Sequence, residues 1–422
     1  MSKNNTAAVY AGGLTRRDVV AWRNAVFVIF ALCGIGLSTW AARLPSVKEA
    51  LQVGPKEIGI LLFGIAAGSI VGLLASSHII ARFGARNSVA WALTIGAVGF
   101  AIAGIGVTVG PSFAVIFIGL LVFGACTGIC DVGMNVSGAA NERVLGRTIM
   151  PIFHAFFSFG TMIGAALGAL AESVHLPIAI HTGIVAVIIA VVAVIATRKL
   201  QSEHIVEDGQ EVVADDDHSK SWRGRLAIWR DRRTLLIGLI ILGMAFAEGS
   251  ANDWLAIAMH DGHDVSKPNA ALLFGVFVTA MTVGRLAGVK LLDRYGRVPV
   301  LRASAALSAV GLLIVIFVPN VGVAVVGIVF WGLGAALGFP VGMSAAADDP
   351  KTAAARVSAV ATIGYFAFLV GPPTIGFIGE YVGVLHALLV VLVLVAIAGI
   401  VSGAAREPAQ RARVYEPVDS TD

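Results

Sequence analysis

LLFGIAAGSIVGLLASSHIIARFGAR at Leu61–Arg86 and LLFGVFVTAMTVGRLAGVKLLDRYGR at Leu272–Arg297 are the same segment occurring twice, with one residue of adjustment between the copies. Each copy is an apolar run of about twenty residues, the length a helix needs to cross ~30 Å of hydrocarbon. Each closes on a short basic turn. The correspondence extends outward from this pair. DVGMN at Asp131–Asn135 reads against PVGMS at Pro340–Ser344, and TWAA at Thr39–Ala42 against DWLA at Asp253–Ala256. Spans one, two and four of a first half thereby match seven, eight and ten, as parallel six-helix repeats require.

Composition agrees. Of 422 residues, 57% are hydrophobic and only 13% charged, and the mean hydropathy is +0.87. A water-soluble core cannot hide that much apolar surface, so lipid must be the solvent for most of the chain. The 49 glycines would weaken soluble helices but let membrane helices approach closely. On the twenty-residue rule, spans are expected near 24–45, 57–80, 88–109, 112–137, 148–170, 178–197, 235–259, 270–289, 299–318, 321–346, 357–379 and 383–404. The expected fold is an all-α membrane protein, with twelve transmembrane helices in two pseudo-symmetric six-helix bundles. These are an N-terminal bundle over 1–200, a cytoplasmic linker over 201–233 and a C-terminal bundle with its tail over 234–422.

Arginines and lysines set the orientation. Arg82, Arg86, Arg143, Arg147, Arg198, Lys199, Arg230, Arg233, Lys290, Arg294, Arg297 and Arg356 fall on one side, with little beyond Arg43, Lys48, Lys56 and Lys267 on the other. The positive-inside rule then puts both termini in the cytoplasm, and the composition suits a bacterial inner membrane. The first apolar run lacks a small-residue cleavage site and is read as a retained span. Because the basic residues lie between spans, lipid headgroups and not nucleic acid are their expected counter-charge. Within the linker, SWRGRLAIWRDRR at Ser221–Arg233 is compatible with a short interfacial helix and equally with a solvated connection.

The turns that end the duplicated segment carry a family signature. Asp293-Arg294-Tyr295-Gly296-Arg297 resembles the loop pattern of the major facilitator superfamily, an acidic residue, Arg, any residue, Gly and then basic residues. The first copy, Ala81-Arg82-Phe83-Gly84-Ala85-Arg86, lacks the acidic position. The resemblance implies the twelve-span fold, transport of a small-molecule substrate by alternating access, and a functional monomer. It also implies a gating role for Arg82, Gly84, Arg86, Asp293, Arg294, Gly296 and Arg297. The fifth span, FFSFGTMIGAALG, has none of the proline seen in the proton–drug antiporter pattern, and its row Gly160, Gly164, Gly168 reads as a packing face.

Ionisable groups inside spans cost at least a few kcal/mol, so they point to function. Glu248 stands near the middle of the seventh span and is the foremost candidate for binding substrate or a coupling proton. A salt bridge to Arg43 or Arg285 is its structural alternative. Asn252 lies one turn further on, followed by Asp253 and Trp254, for which an interfacial cap and anchor competes with binding. Asp131 and Asn135 share a face of the fourth span, and His154 on the fifth is expected at a similar depth to Asp131. Such a pair suits proton coupling or gating, and equally a hydrogen bond clamping two helices. Trp40 and Tyr365 offer stacking surface, although packing is the commoner use of such rings. Gly371-Pro372-Pro373 is expected to kink the eleventh span.

Cys126 and Cys130 lie on one face, one turn from Asp131, and read as small packing residues in preference to a metal site. No cofactor is expected. A phosphate-cradling GxxxxGK[ST] loop is absent, which argues against direct ATP drive. Catalysis is not expected either, Ser158 one turn from His154 being the sole suggestive pair. The chain reads as a secondary transporter driven by an ion or solute gradient, with protons the natural coupling ion. An efflux carrier and a non-transporting receptor are the alternatives.

Overall fold

The computed structural model describes residues 13–146, 149–201, 228–349 and 352–407, and these fold into helices. The first two stretches give α1 (Arg16–Ala42), α2 (Leu44–Leu51), α3 (Pro55–Thr108), α4 (Phe113–Leu145), α5 (Met150–Ser173) and α6 (Ile178–Thr197). The third gives α7 (Arg232–His263), α8 (Lys267–Tyr295), α9 (Arg297–Phe317), α10 (Val321–Ala335) and α11 (Gly338–Ala346). After these come α12 (Ala353–Val382), α13 (Val384–Ala387), α14 (Leu389–Val401) and a 3₁₀ turn at Ser402–Ala405. Most of the expected linker, 202–227, lies outside the described residues, as does the tail after Glu407.

Among the described residues, 11 helical stretches are long and apolar enough to cross a bilayer. One of them, α3, has 54 residues, about 80 Å at the helical rise and far beyond ~30 Å of hydrocarbon. It breaks at Gly84, where φ is 75° and ψ 158°, a backbone region essentially closed to any residue with a Cβ. Two spans are therefore joined there and the chain crosses twelve times. Gly296, between α8 and α9, has φ 75° and ψ 173°. The two turns picked out as a repeat in the sequence thus share one unusual backbone conformation.

The first span begins at Arg16, eight residues before the apolar run suggests. Its start is set by a capping box: Thr15 Oγ1 accepts from the Asp18 N–H, and the Asp18 carboxylate accepts from the Thr15 N–H at 3.1 Å. α12 contains Pro372 and Pro373 and continues past them to Val382.

By compactness the chain falls into two units. One comprises Met1–Val213, Asn252–Val278 and Pro372–Val384, and the other Ala214–Ala251, Thr279–Gly371 and Leu385–Asp422. Small residues hold the first unit together. A methyl on Gly68 or Gly72 of α3 would strike the Leu121 or Ala125 carbonyl of α4, and one on Gly160 of α5 the Ala31 carbonyl of α1. Backbones this close gain dispersion contact that lipid cannot replace. The second unit repeats the device: Gly311 of α9 meets the Gly327 carbonyl of α10, and Gly243 of α7 the Leu394 carbonyl of α14.

Candidate functional site

At the end that carries the second glycine turn, Asp348 is the centre of an ionic cluster. It is 1% exposed and accepts from Arg297 Nη1 at 2.8 and 3.0 Å and from Arg233 Nη2 at 2.8 Å. Arg297 Nη2 also donates to Ser344 Oγ at 2.9 Å, and Arg233 Nε to the Ala404 carbonyl at 3.1 Å. A motif arginine, the last residue of PVGMS and the entry of α7 are thereby tied to one carboxylate. Asp293 and Arg294 remain exposed, the Arg294 guanidinium lying 5.4 Å from the Tyr295 ring centroid. Arg82 repeats that contact over Phe83, also at 5.4 Å, and Arg86 is exposed.

The interior of the second unit holds the expected carboxylate with a defined partner. Glu248 Oε1 accepts from Arg285 Nη2 at 2.7 Å, with the side chains 16% and 30% exposed. Of the two partners the sequence offers, α8 supplies the real one; Arg43 is committed elsewhere. Tyr365, on α12, is partly exposed.

In the first unit, Asn135 Nδ2 donates to the Asp131 carbonyl at 2.8 Å and lies 3.4 Å from Asp131 Oδ1. His154 is exposed and stands edge-on to Phe30, with centroids 5.1 Å apart. Trp40 is buried edge-on to Phe100, a packing position. Asn252 and Asp253 are half-buried, whereas Trp254 is fully buried and packs toward Gly376. Full burial does not suit the interfacial anchor that the Trp254 position suggests in sequence.

Two groups that sequence reasoning passed over lie at the far end of this unit. Arg43 Nε sits 2.9 Å from Glu172 Oε1, both buried, and Arg43 Nη2 donates to the Leu176 carbonyl at 2.8 Å. His181 on α6 is buried nearby, and neither ring nitrogen has a hydrogen-bond partner among the described residues. Their signal was ordinary: an ionisable residue in the terminal turn of an apolar span. Around them α2 is pinned by charge, Lys48 Nζ lying 2.5 Å from Asp261 Oδ2 and Glu49 pairing with Lys267. The Lys56 N–H donates to Glu380 Oε2 at 3.3 Å. Among the described residues, no group of three or more His, Cys, Asp or Glu could hold a metal ion.

A duplicated six-span architecture, with paired glycine turns and an ion pair held inside spanning helices, defines a polytopic membrane transporter. The profile of the Major Facilitator Superfamily matches residues 25–257 and 247–417. The chain belongs to that family. It is 30% identical to the transporter y4wD of Sinorhizobium fredii, over 86% of this chain and 93% of that protein. It is 31% identical to an MFS-type transporter of Yersinia pestis, over 83% and 87% respectively. In fold it resembles the nucleoside transporter NupG, with a TM-score of 0.69 at 15% identity, covering 94% of this chain and all of that one. The Escherichia coli fucose:proton symporter FucP superposes with a TM-score of 0.60 at 15% identity, covering 93% of this chain and 100% of its own.

Proposed function

We propose that this transporter is a proton-coupled secondary carrier of a small polar organic solute, working by alternating access in the bacterial inner membrane with both termini cytoplasmic. The observation that carries the proposal is the Glu248–Arg285 pair. An ionised carboxylate in a spanning helix is costly, and a guanidinium at hydrogen-bond distance offsets that cost. A proton arriving on Glu248 removes the attraction and frees Arg285 donors for an oxygen acceptor on the solute. Solute and proton then favour the same state of the site, which couples them. Glycine-turn residues Arg82, Gly84, Arg86, Asp293, Arg294, Gly296 and Arg297 act as the conformational latch, with Arg297 held by Asp348. Asn252 and Asp253 on α7, Asp131 and Asn135 on α4, His154 on α5 and Tyr365 on α12 are further candidates along the path. The solute leaves chemically unchanged. The names of two fold neighbours, a nucleoside transporter and a fucose:proton symporter, are compatible with a small polar cargo.

The test begins with a thermal-shift screen of small metabolites on the purified protein, repeated with Glu248→Gln. The solute found is then offered to proteoliposomes under a pH gradient. Wild type is expected to accumulate or expel it against its own gradient, and Glu248→Gln to exchange it without concentrating it. Gradient-driven transport that survives Glu248→Gln ends the proposal.

A further inference from the structure

All three cysteines of the chain, Cys33, Cys126 and Cys130, border one small, partly open cavity inside the first unit. They come from positions far apart in sequence. Cys33 is on α1, while Cys126 and Cys130 follow at one-turn spacing on α4 with Met134 another turn on, so that α4 presents a row of three sulfurs. Cys33 Sγ lies 3.5 Å from Cys130 Sγ and 3.9 Å from Met134 Sδ. Cys130 and Met134 are buried and Cys33 is half-buried.

Two thiols and a thioether, with Cys33 Sγ in contact with both of the others, form a soft donor set. Metal–sulfur bonds of about 2.3 Å arranged in a triangle separate the sulfurs by about 4 Å. The observed 3.5 and 3.9 Å fall within a few tenths of an ångström of that spacing. Thiolate and thioether ligands favour soft ions such as Cu(I) over hard cations. Among the described residues no third His, Cys, Asp or Glu completes the group, which weighs against a zinc-type site; the soft preference stands because the third donor is methionine. Charge also balances. Uptake of the ion with loss of one proton, one cysteine sulfur binding as thiolate and the other as the neutral thiol, leaves the site with the net charge it has when empty, as a lipid-embedded bundle favours.

We propose that Cys33, Cys130 and Met134 form a binding site for one soft monovalent ion, Cu(I) or Ag(I), bridging α1 and α4. The site is independent of the Glu248–Arg285 pair.

Ag⁺ is the probe, since it needs no reductant. The full-length protein in lipid nanodiscs and chloride-free buffer is titrated with Ag⁺, reading bound metal per chain, released protons and ultraviolet sulfur-to-metal absorption. One ion and one proton per chain are expected. Cys33→Ser and Cys130→Ser should each weaken binding at least about tenfold, Met134→Leu less, and Cys126→Ser hardly at all. In a parallel measurement, bound Ag⁺ should slow maleimide labelling of the half-buried Cys33 in the wild type and much less in Cys130→Ser. Binding that persists in the Cys33→Ser/Cys130→Ser double variant, or equal shielding of Cys33 in both proteins, overturns the proposal.

Discussion

The two halves solve one problem with different chemistry. In each, the first helix must be fixed to the fourth at the end bearing the glycine turn. The second half uses charge, Arg233 and Arg297 converging on buried Asp348. In the first, Trp22 Nε1 donates to Ser137 Oγ at 2.9 Å and Asn141 Nδ2 to the Val19 carbonyl at 3.1 Å. The register of the repeats explains the difference: the residue after the turn glycine is Ala85 in one copy and Arg297 in the other. Four residues past DVGMN stands Ala139, where Asp348 stands four past PVGMS. Backbone conformation is common to both copies, and the charge is confined to one. Neutral hydrogen bonds contribute about 1 kcal/mol each and tolerate loss, whereas a buried ion cluster is sensitive to the removal of a single member. The second half therefore holds the more fragile and more switchable junction.

Breaking the ionic side should give the largest effect. Asp348→Asn leaves two arginines around a neutral amide in a buried place, at a cost of about 3 kcal/mol or more. A clear fall in the thermal unfolding midpoint of the purified protein is expected, along with faster proteolysis near Arg233. An unchanged midpoint would show the cluster to be solvated and the contrast between halves empty. On the neutral side, Trp22→Phe removes the Nε1–Ser137 bond together with part of a fully buried ring, for about 2–3 kcal/mol. Ser137→Ala in the same background should add little, because the two changes delete the same bond. Full additivity of the pair would mean that each residue acts through some other contact.

The same contrast shows what a sequence discloses. Repeats and glycine turns were legible because backbone geometry depends on local residue type: only glycine accepts the conformation at Gly84 and Gly296. Glu248 stood out because a carboxylate amid apolar residues has no local explanation. Its choice of Arg285 over Arg43 was hidden, since it depends on which faces of α7 and α8 meet. Glu172 and His181 escaped notice because, at the ends of spans, charged residues look like ordinary helix termini. Asp348 lies just past the expected 321–346 span, its burial arising from α7 and α9 together. Cys33 carried no signal at all until α1 was laid against α4.

The smallest effect lies just outside the first turn of α7. Asp231 accepts from the Thr234 hydroxyl at 2.6 Å and the Thr234 N–H at 3.1 Å, which makes it the cap of that helix. The Thr234 hydroxyl bond, with help from the Thr234 amide and the Arg356 charge, holds its carboxyl below the ordinary 3.8 against the opposing pull of partial burial. A depressed carboxyl stabilises the fold fully above its unfolded value. That contribution is lost as the pH falls below about 3.8 and through the lowered native value. Asp231→Ala should cost on the order of 1 kcal/mol at neutral pH, the usual worth of a cap, and the difference from wild type should shrink under acid. Because Asp231 also faces Arg356 of the charged half, at 3.4 Å, raising the salt concentration should erode part of the effect, whereas the Trp22–Ser137 bond should be indifferent to salt. Unfolding midpoints of the two variants, measured at low and high ionic strength, separate ionic from neutral fastening with a single pair of titrations. Equal salt responses would remove the distinction between the halves at its weakest link.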